Sequence, residues 1–213
     1  MKRYAPTFTD RELHGAHELF EERRNVYLKE GLDFFKSREF ILKKAGSLNG
    51  DILEIGSGRG ITALSLARTG YSFTSVDNNE EMLKIAALNL AYENLLKNVK
   101  LYLMDAYSLE FDDNSFDNVL LIEALHHLDD IERLFSGLNR ITAPGAKFIL
   151  ADFNEKGYAI IDRVHEREGR AHGKSQMGRD EAQGWLSEKG FDLETYEDTC
   201  HWLIVAQKPT ASP

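Results

Sequence analysis

The segment Leu53-Glu54-Ile55-Gly56-Ser57-Gly58-Arg59-Gly60 limits what this chain can fold into more than any other stretch of its 213 residues. A short apolar run, three glycines spaced two apart and a helical pattern follow one another without a break. Glycine has no Cβ, so such a turn can be tight, and a ligand can approach bare backbone at the start of the helix that follows. Strand, glycine turn and helix in immediate succession mark the entry to a parallel α/β sheet.

The neighbouring sequence extends that pattern. Residues 51–55, 72–76, 99–104, 117–122 and 147–152 read as short buried strands. Residues 60–69, 80–96 and 129–141 read as the helices between them, the last stopped before Pro144-Gly145. Apolar strands alternating with helices imply a parallel sheet covered on both faces. Upstream, residues 10–45 read as helix, with Leu13, Ala16, Leu19, Phe20 and then Leu32, Phe35, Phe40, Ile41 at helical spacing and Gly46 as the stop. Downstream the pattern loosens over residues 154–177, apart from a helix near 160–168. Residues 179–189 read as a last helix, and 193–196 with 202–206 as an antiparallel pair at the sheet edge. One domain over 1–213 is expected, with an N-terminal helical lid and substrate region at 1–49, a cofactor-binding core at 50–152, and an insert, last helix and closing strands at 153–213.

The details of the loop discriminate between ligands. Dinucleotide binders place a third glycine where this chain has Ile61. Glu54, two positions before Gly56, would sit awkwardly beside a pyrophosphate. It suits a cationic ligand, such as the amino group or sulfonium of S-adenosylmethionine. Asp77 closes the second strand about 20 residues past the loop, where a carboxylate can accept hydrogen bonds from both ribose hydroxyls of an adenosine; the alternative is an N-cap for the helix starting near Asn79. Asp105 follows the third strand and can accept from an adenine amino group, with Ala106 leaving room for the ring. Its alternative is an ordinary loop or capping residue.

Taken together, the runs LEIGSGRG, SVDNN with Met82, MDA and FDNVLLIEALHHL resemble class I S-adenosylmethionine-dependent methyltransferases, particularly the small-molecule type similar to quinone-biosynthesis C-methyltransferases. The resemblance covers about residues 51–152. It implies a Rossmann-like three-layer α/β sandwich with a seven-stranded, mostly parallel sheet and one antiparallel strand. It assigns Gly56, Gly58 and Gly60, with Ser57 between them, to the methionine and ribose portion of the cofactor. Asp77 would bind the ribose hydroxyls, Asn78 and Met82 would border the adenine, and Asp105 with Ala106 would contact the base. At Glu123 the backbone carbonyl would receive the methionine amino group. Outside this core, in the parts that choose the substrate, the resemblance is loose.

Methyl transfer from a sulfonium asks mainly for proximity, alignment and exclusion of water, with a general base only where the acceptor must lose a proton. His126 and His127, after the fourth strand, are the candidates for that base; packing or orienting the site is the alternative. His165, Glu166, His172 and the pair Cys200-His201 would bind a metal or a polar acceptor if they converged, but their spacing fits no ligand motif and no metal is expected. His14 and His17 share a helical face. By analogy with the family, Tyr4 and Phe8 are candidates for a lid. Arg163, Arg167 and Arg170 are candidates for recognising an anionic acceptor, a solvated face being the alternative.

Composition narrows the classes. With 35 acids against 26 bases the chain carries −9, which argues against nucleic acid as a partner and leaves a small-molecule acceptor as the expected one. Cys200 is the only cysteine, so no intramolecular disulfide forms. Charged helical sequence follows residues 1–6, and no apolar run is long enough to span a bilayer, so the cytoplasm is the expected location. Two other readings keep the fold: a non-catalytic S-adenosylmethionine sensor or partner subunit, and a nicotinamide-dependent oxidoreductase, which the glycine spacing and Glu54 disfavour. Methylation of nucleic acid or protein is a further possibility, but the chain has no Asn-Pro-Pro-Tyr-type motif and no appended recognition domain.

Overall fold

The computed structural model describes residues 2–169 and 178–210. Its centre is an eight-stranded sheet in the order β1-β4-β3-β2-β5-β6-β8-β7. Strands β2 (Ile52–Ile55), β3 (Phe73–Asp77), β4 (Val99–Leu103), β5 (Phe116–Ile122) and β6 (Thr142–Phe153) run parallel. Strand β8 (His201–Gln207) lies antiparallel to both β6 and β7 (Asp192–Glu197). The expected sheet of seven strands needs one correction. Lys2–Tyr4 forms β1, an antiparallel edge strand on β4, giving eight strands and a second antiparallel one. Three residues are too few for periodicity to announce a strand.

The core follows from alternation along the strands. Ile52, Leu120, Ile149 and Leu203 point to one face, where α2 (Phe34–Ala45), α3 (Ile61–Arg68) and α4 (Glu80–Tyr92) bury Ile41, Leu64 and Leu83. Leu53, Leu121, Leu150 and Ile204 point to the other, packed by α5 (Ile131–Ile141) and α7 (Arg179–Glu188) through Phe135, Leu138, Trp185 and Leu186. A third cluster sits beyond the tip of β6. There α1 (Asp10–Lys29) and α6 (Glu155–Arg167) bring Tyr27, Ile161 and Val164 against Phe34 and Phe153.

The helix expected over 10–45 is broken in two. Gly31 takes a φ of 95°, Leu32 turns inward with 1% of its surface exposed, and the Asp33 side chain caps α2 by accepting from the Lys36 N–H. That break lets α1 fold back over α4 and α6. Strand β6 begins at Thr142 rather than near 147, running through Pro144-Gly145 with a register shift against β5. No helix among the described residues is long and apolar enough to cross a membrane.

From β2 the chain runs to β3 and β4 on one side, then returns to lay β5 on the other. The chain therefore leaves β2 and β5 in opposite directions, which opens a crevice beyond the carboxyl ends of the strands. The candidate site lies there.

Candidate functional site

Two cavities meet at the carboxyl ends of the parallel strands, with His127 bordering both. The first, about 320 Å³, is walled by Gly56, Asp77, Asn78, Asp105, Ala106 and Ala124, contributed by the loops after β2 to β5. The turn after β2 is shaped by close packing. Gly56 has a φ of 82°, and a Cβ placed on it would lie 2.9 Å from the Ala124 Cβ. Its N–H and that of Ser57 both donate to the Val76 carbonyl, tying the loop to β3. Gly60, with a φ of 83°, opens α3 against the Ala86 backbone of α4.

Asp77 holds the loop from the other side. One carboxylate oxygen accepts from the Gly58 N–H at 2.8 Å and the other from the Asn79 N–H at 2.9 Å. The cap of α4 is Asn79, whose side chain accepts from Glu81 and Met82, so Asp77 is not spent on that role. A carboxylate has about four acceptor positions, so both oxygens keep capacity for a ligand hydroxyl. Asp105 is exposed at the cavity rim, one oxygen accepting from the Tyr107 N–H. No lysine or arginine lines this cavity among the described residues. A cradle of bare backbone with two carboxylates and no cation repels phosphates and fits the hydroxyls and positive charge of an adenosyl sulfonium ligand. The residues present fit S-adenosylmethionine, and they do not fit a pyrophosphate.

Some expected site residues sit elsewhere. Met82 lines the second cavity. Glu54 is 2% exposed and is not among the groups lining either cavity. One of its oxygens accepts from the Ser75 hydroxyl, which also contacts Ser57, and its other oxygen has no hydrogen-bond partner among the described residues. Burial pushes this carboxyl up to about 8. It therefore stands as a neutral acid beneath the loop, and not as an open contact for a cation.

The second cavity, about 380 Å³, lies under α1 and α2. Phe20, Tyr27, Phe34, Phe35 and Phe153 supply its rings, and Arg23, Arg24 and Arg59 its cations. His126 is 4% exposed at its floor. Asp152, at the end of β6, accepts from its backbone N–H at 3.0 Å and pairs with its Nδ1 at 2.7 Å. That pairing places the proton on Nδ1 and makes Nε2 the basic nitrogen.

Glu123 closes the wall between α2 and the sheet. Its backbone has a φ of 54°, the left-handed region that non-glycine residues enter at a cost. Its Oε1 accepts from the Arg38 guanidinium at 2.6 Å and from His201 Nε2 at 2.7 Å, and His201 Nδ1 faces Asp198 at 3.3 Å. Arg38 also donates to the Thr62 hydroxyl at 3.0 Å. Burial alone would raise the Glu123 carboxyl, but Arg38 and His201 overcome it and hold the group at about 2. Burial likewise opposes charge on His201. Hydrogen bonds to Asp198 and Glu123 win there, and raise the imidazole above its ordinary range. The result is a row of alternating charges, Asp198, His201, Glu123 and Arg38, in which His201 and Arg38 are buried and the two carboxylates partly so.

The remaining expectations divide. Tyr4 lies in β1 paired with Leu101, and Tyr4 and Phe8 both pack against the sheet-face cluster, so neither is a lid on the cavities. His17 stacks on Tyr92 of α4 at 3.8 Å with His14 edge-on to the same ring, which makes them packing residues. His165 borders the second cavity and meets the Tyr27 hydroxyl at 3.3 Å; Cys200 is buried, and Glu166 is exposed. His172 and Arg170 lie outside the described residues. Among those described, no group of three or more His, Cys, Asp or Glu is placed to hold a metal ion. Arg163 and Arg167 both pair with Glu30, fastening α6 to the end of α1. The cations at the cavity are instead Arg23, Arg24 and Arg59. The helical spacing over 10–45 held no signal that would separate a cavity-facing arginine from a solvated one.

Asp77→Ala is expected to weaken binding of S-adenosylhomocysteine by about 1–3 kcal/mol, the usual cost of losing a charged hydrogen-bond partner. Unchanged affinity in a calorimetric titration would remove Asp77 from the site.

Comparison with known proteins places these features in a family. Residues 53–150 match the methyltransferase domain family. The ubiquinone/menaquinone biosynthesis C-methyltransferase UbiE of Rickettsia bellii (strain OSU 85-389) is 35% identical over 190 residues, which are 84% of this chain and 76% of that protein. Of a second UbiE, from another strain of that species, the chain spans 59%. A putative S-adenosyl-L-methionine-dependent methyltransferase from Methanococcus maripaludis shares the fold with a TM-score of 0.69 over 97% of both chains, at 21% identity. Phosphoethanolamine N-methyltransferase 2 of Haemonchus contortus, solved with S-adenosyl-L-methionine, superposes with a TM-score of 0.65 at 20% identity, over 82% of this chain and 52% of that one.

Proposed function

The chain belongs to the class I S-adenosylmethionine-dependent methyltransferases, and from that membership we propose that it methylates a small-molecule acceptor held beneath its N-terminal helices. One observation carries the proposal. The cradle of carboxylates and bare backbone adjoins, at His127, a ring-walled cavity of about 380 Å³, a size suited to a small molecule. Cofactor and acceptor would then occupy neighbouring rooms with a shared wall.

When bound, S-adenosylmethionine supplies a methyl group on a positively charged sulfur, a leaving group that needs no acid to activate it. The chain's own residues do the rest. Asp77 and Asp105 would hold the adenosyl portion, the glycine turn would admit it to the backbone, and α1 and α2 would keep water from the acceptor. Asp152 fixes the His126 ring. Through Nε2, His126 would take the proton released as an acceptor atom bonds to the methyl carbon and the former carbon–sulfur pair returns to sulfur.

The test uses cofactor labelled in its methyl group, incubated with the protein and a cell extract that is then separated by size. Label should enter the low-molecular-weight fraction; label confined to protein or nucleic acid would overturn the reading. Once an acceptor is in hand, His126→Ala should lower kcat by about a hundredfold, at the low end for a positioned base, with affinity for S-adenosylhomocysteine unchanged. Asp152→Asn should fall between that variant and the parent.

A further inference from the structure

The lining of the second cavity says more than methyl transfer requires. Aromatic walls such as those of Phe20, Phe34, Phe35 and Phe153 suit two kinds of ligand: a cation held over the ring faces, or a flat ring stacked among them. The charges at the same cavity separate the two. Arg23, Arg24 and Arg59 border it, while the one carboxylate among the described lining residues, Glu123, is already held by Arg38 and His201. A cationic acceptor would face three guanidiniums and no uncommitted carboxylate.

Arg23 and Arg24 are themselves only partly engaged. Arg23 donates to Glu168 at 2.9 Å and to the Tyr27 hydroxyl at 2.9 Å. Arg24 donates to Glu21 at 2.7 Å, and its Nε has no hydrogen-bond partner among the described residues. A guanidinium carries five N–H donors in a planar fork, so each retains donors for an incoming anion. This cationic wall stands in a chain of net charge −9, so the overall composition does not account for it.

Resting on the methyltransferase reading above, we propose that the acceptor is a flat aromatic carboxylate, its ring among the phenylalanines and its acid on Arg23 and Arg24. The ring contributes shape and apolar area; the two arginines, adjacent on α1, set which end points inward. Selectivity for charge then resides in α1, the helix that the break at Gly31 folds over the site.

Three probes with one ring system test this: naphthoate, naphthamide and naphthylmethylamine, each titrated calorimetrically into protein loaded with S-adenosylhomocysteine. Naphthoate should bind at least about tenfold more tightly than the neutral amide or the cationic amine. The double variant Arg23→Gln, Arg24→Gln should lose that preference while still binding S-adenosylhomocysteine as the parent does, which also shows that it is folded. Equal binding, no binding, tighter binding of the amide or amine, or a preference that survives in the folded double variant overturns the proposal. The comparison on the unaltered protein decides even if the variant unfolds. Failure of the unaltered protein to load with S-adenosylhomocysteine would sink the methyltransferase reading instead.

Discussion

Arg38→Ala is expected to destabilise the fold by about 3–5 kcal/mol, the cost of leaving a buried charge without its partner. Arg38 is 2% exposed and binds Glu123 and Thr62 together, so α2, the end of β5 and the start of α3 all lose a common tie. The figure is not what the ion pair adds over an apolar replacement, since the desolvation of both groups offsets much of their attraction. It is the penalty for stranding Glu123 beside His201, the one remaining donor among the described residues. Adding Glu123→Gln should therefore restore part of the loss, and denaturant unfolding of the two single variants and the double would give the coupling. A single variant within about 1 kcal/mol of the parent would mean that water or a rearranged side chain replaces the guanidinium.

The second large effect belongs to the glycine turn. Gly56→Val should abolish measurable binding of S-adenosylhomocysteine, a loss of a hundredfold or more, on the order of 3 kcal/mol. Two costs combine. A β-branched residue at a φ of 82° is strained by about 1–3 kcal/mol, and the new Cβ, 2.9 Å from that of Ala124, forces the crevice walls apart at the cradle. Calorimetry on the folded variant measures the first consequence, and its unfolding midpoint the second. Retained affinity would mean that the ligand does not depend on the approach of these two loops.

Much of this arrangement was legible because it is local. The parallel core between residues 51 and 152, the glycine loop and the positions of Asp77 and Asp105 follow from patterns spanning fewer than about 20 residues. The closing strand pair was legible too, as two short runs after the last helix. What the sequence concealed is long-range. Arg38 and Glu123 are 85 positions apart, Glu123 and His201 are 78 apart, and no periodicity couples them. Asp152 reads as the last residue of an apolar strand, and only the neighbouring β5 loop brings His126 to it. Analogy misled where packing decides: Tyr4 and Phe8 cover the sheet, and α1 covers the cavity. Glu54, expected to face a cationic ligand, is enclosed beneath the loop instead. Its enclosure, with Ser75 on one oxygen and Ser57 behind that, was not written in the loop itself.

That enclosure has an outcome at alkaline pH. The carboxyl of Glu54 holds its proton up to about pH 8, well above an unfolded glutamate, so its share of stability is complete in acid below the unfolded value and is withdrawn as pH climbs through about 8. The ligand-free protein should soften by a few kcal/mol over that interval, with amides of β2 and β3 exchanging with solvent sooner, and Glu54→Gln should flatten the profile. A mild rise in pH would thus ionise the interior directly under the cradle while leaving the surface almost as it was.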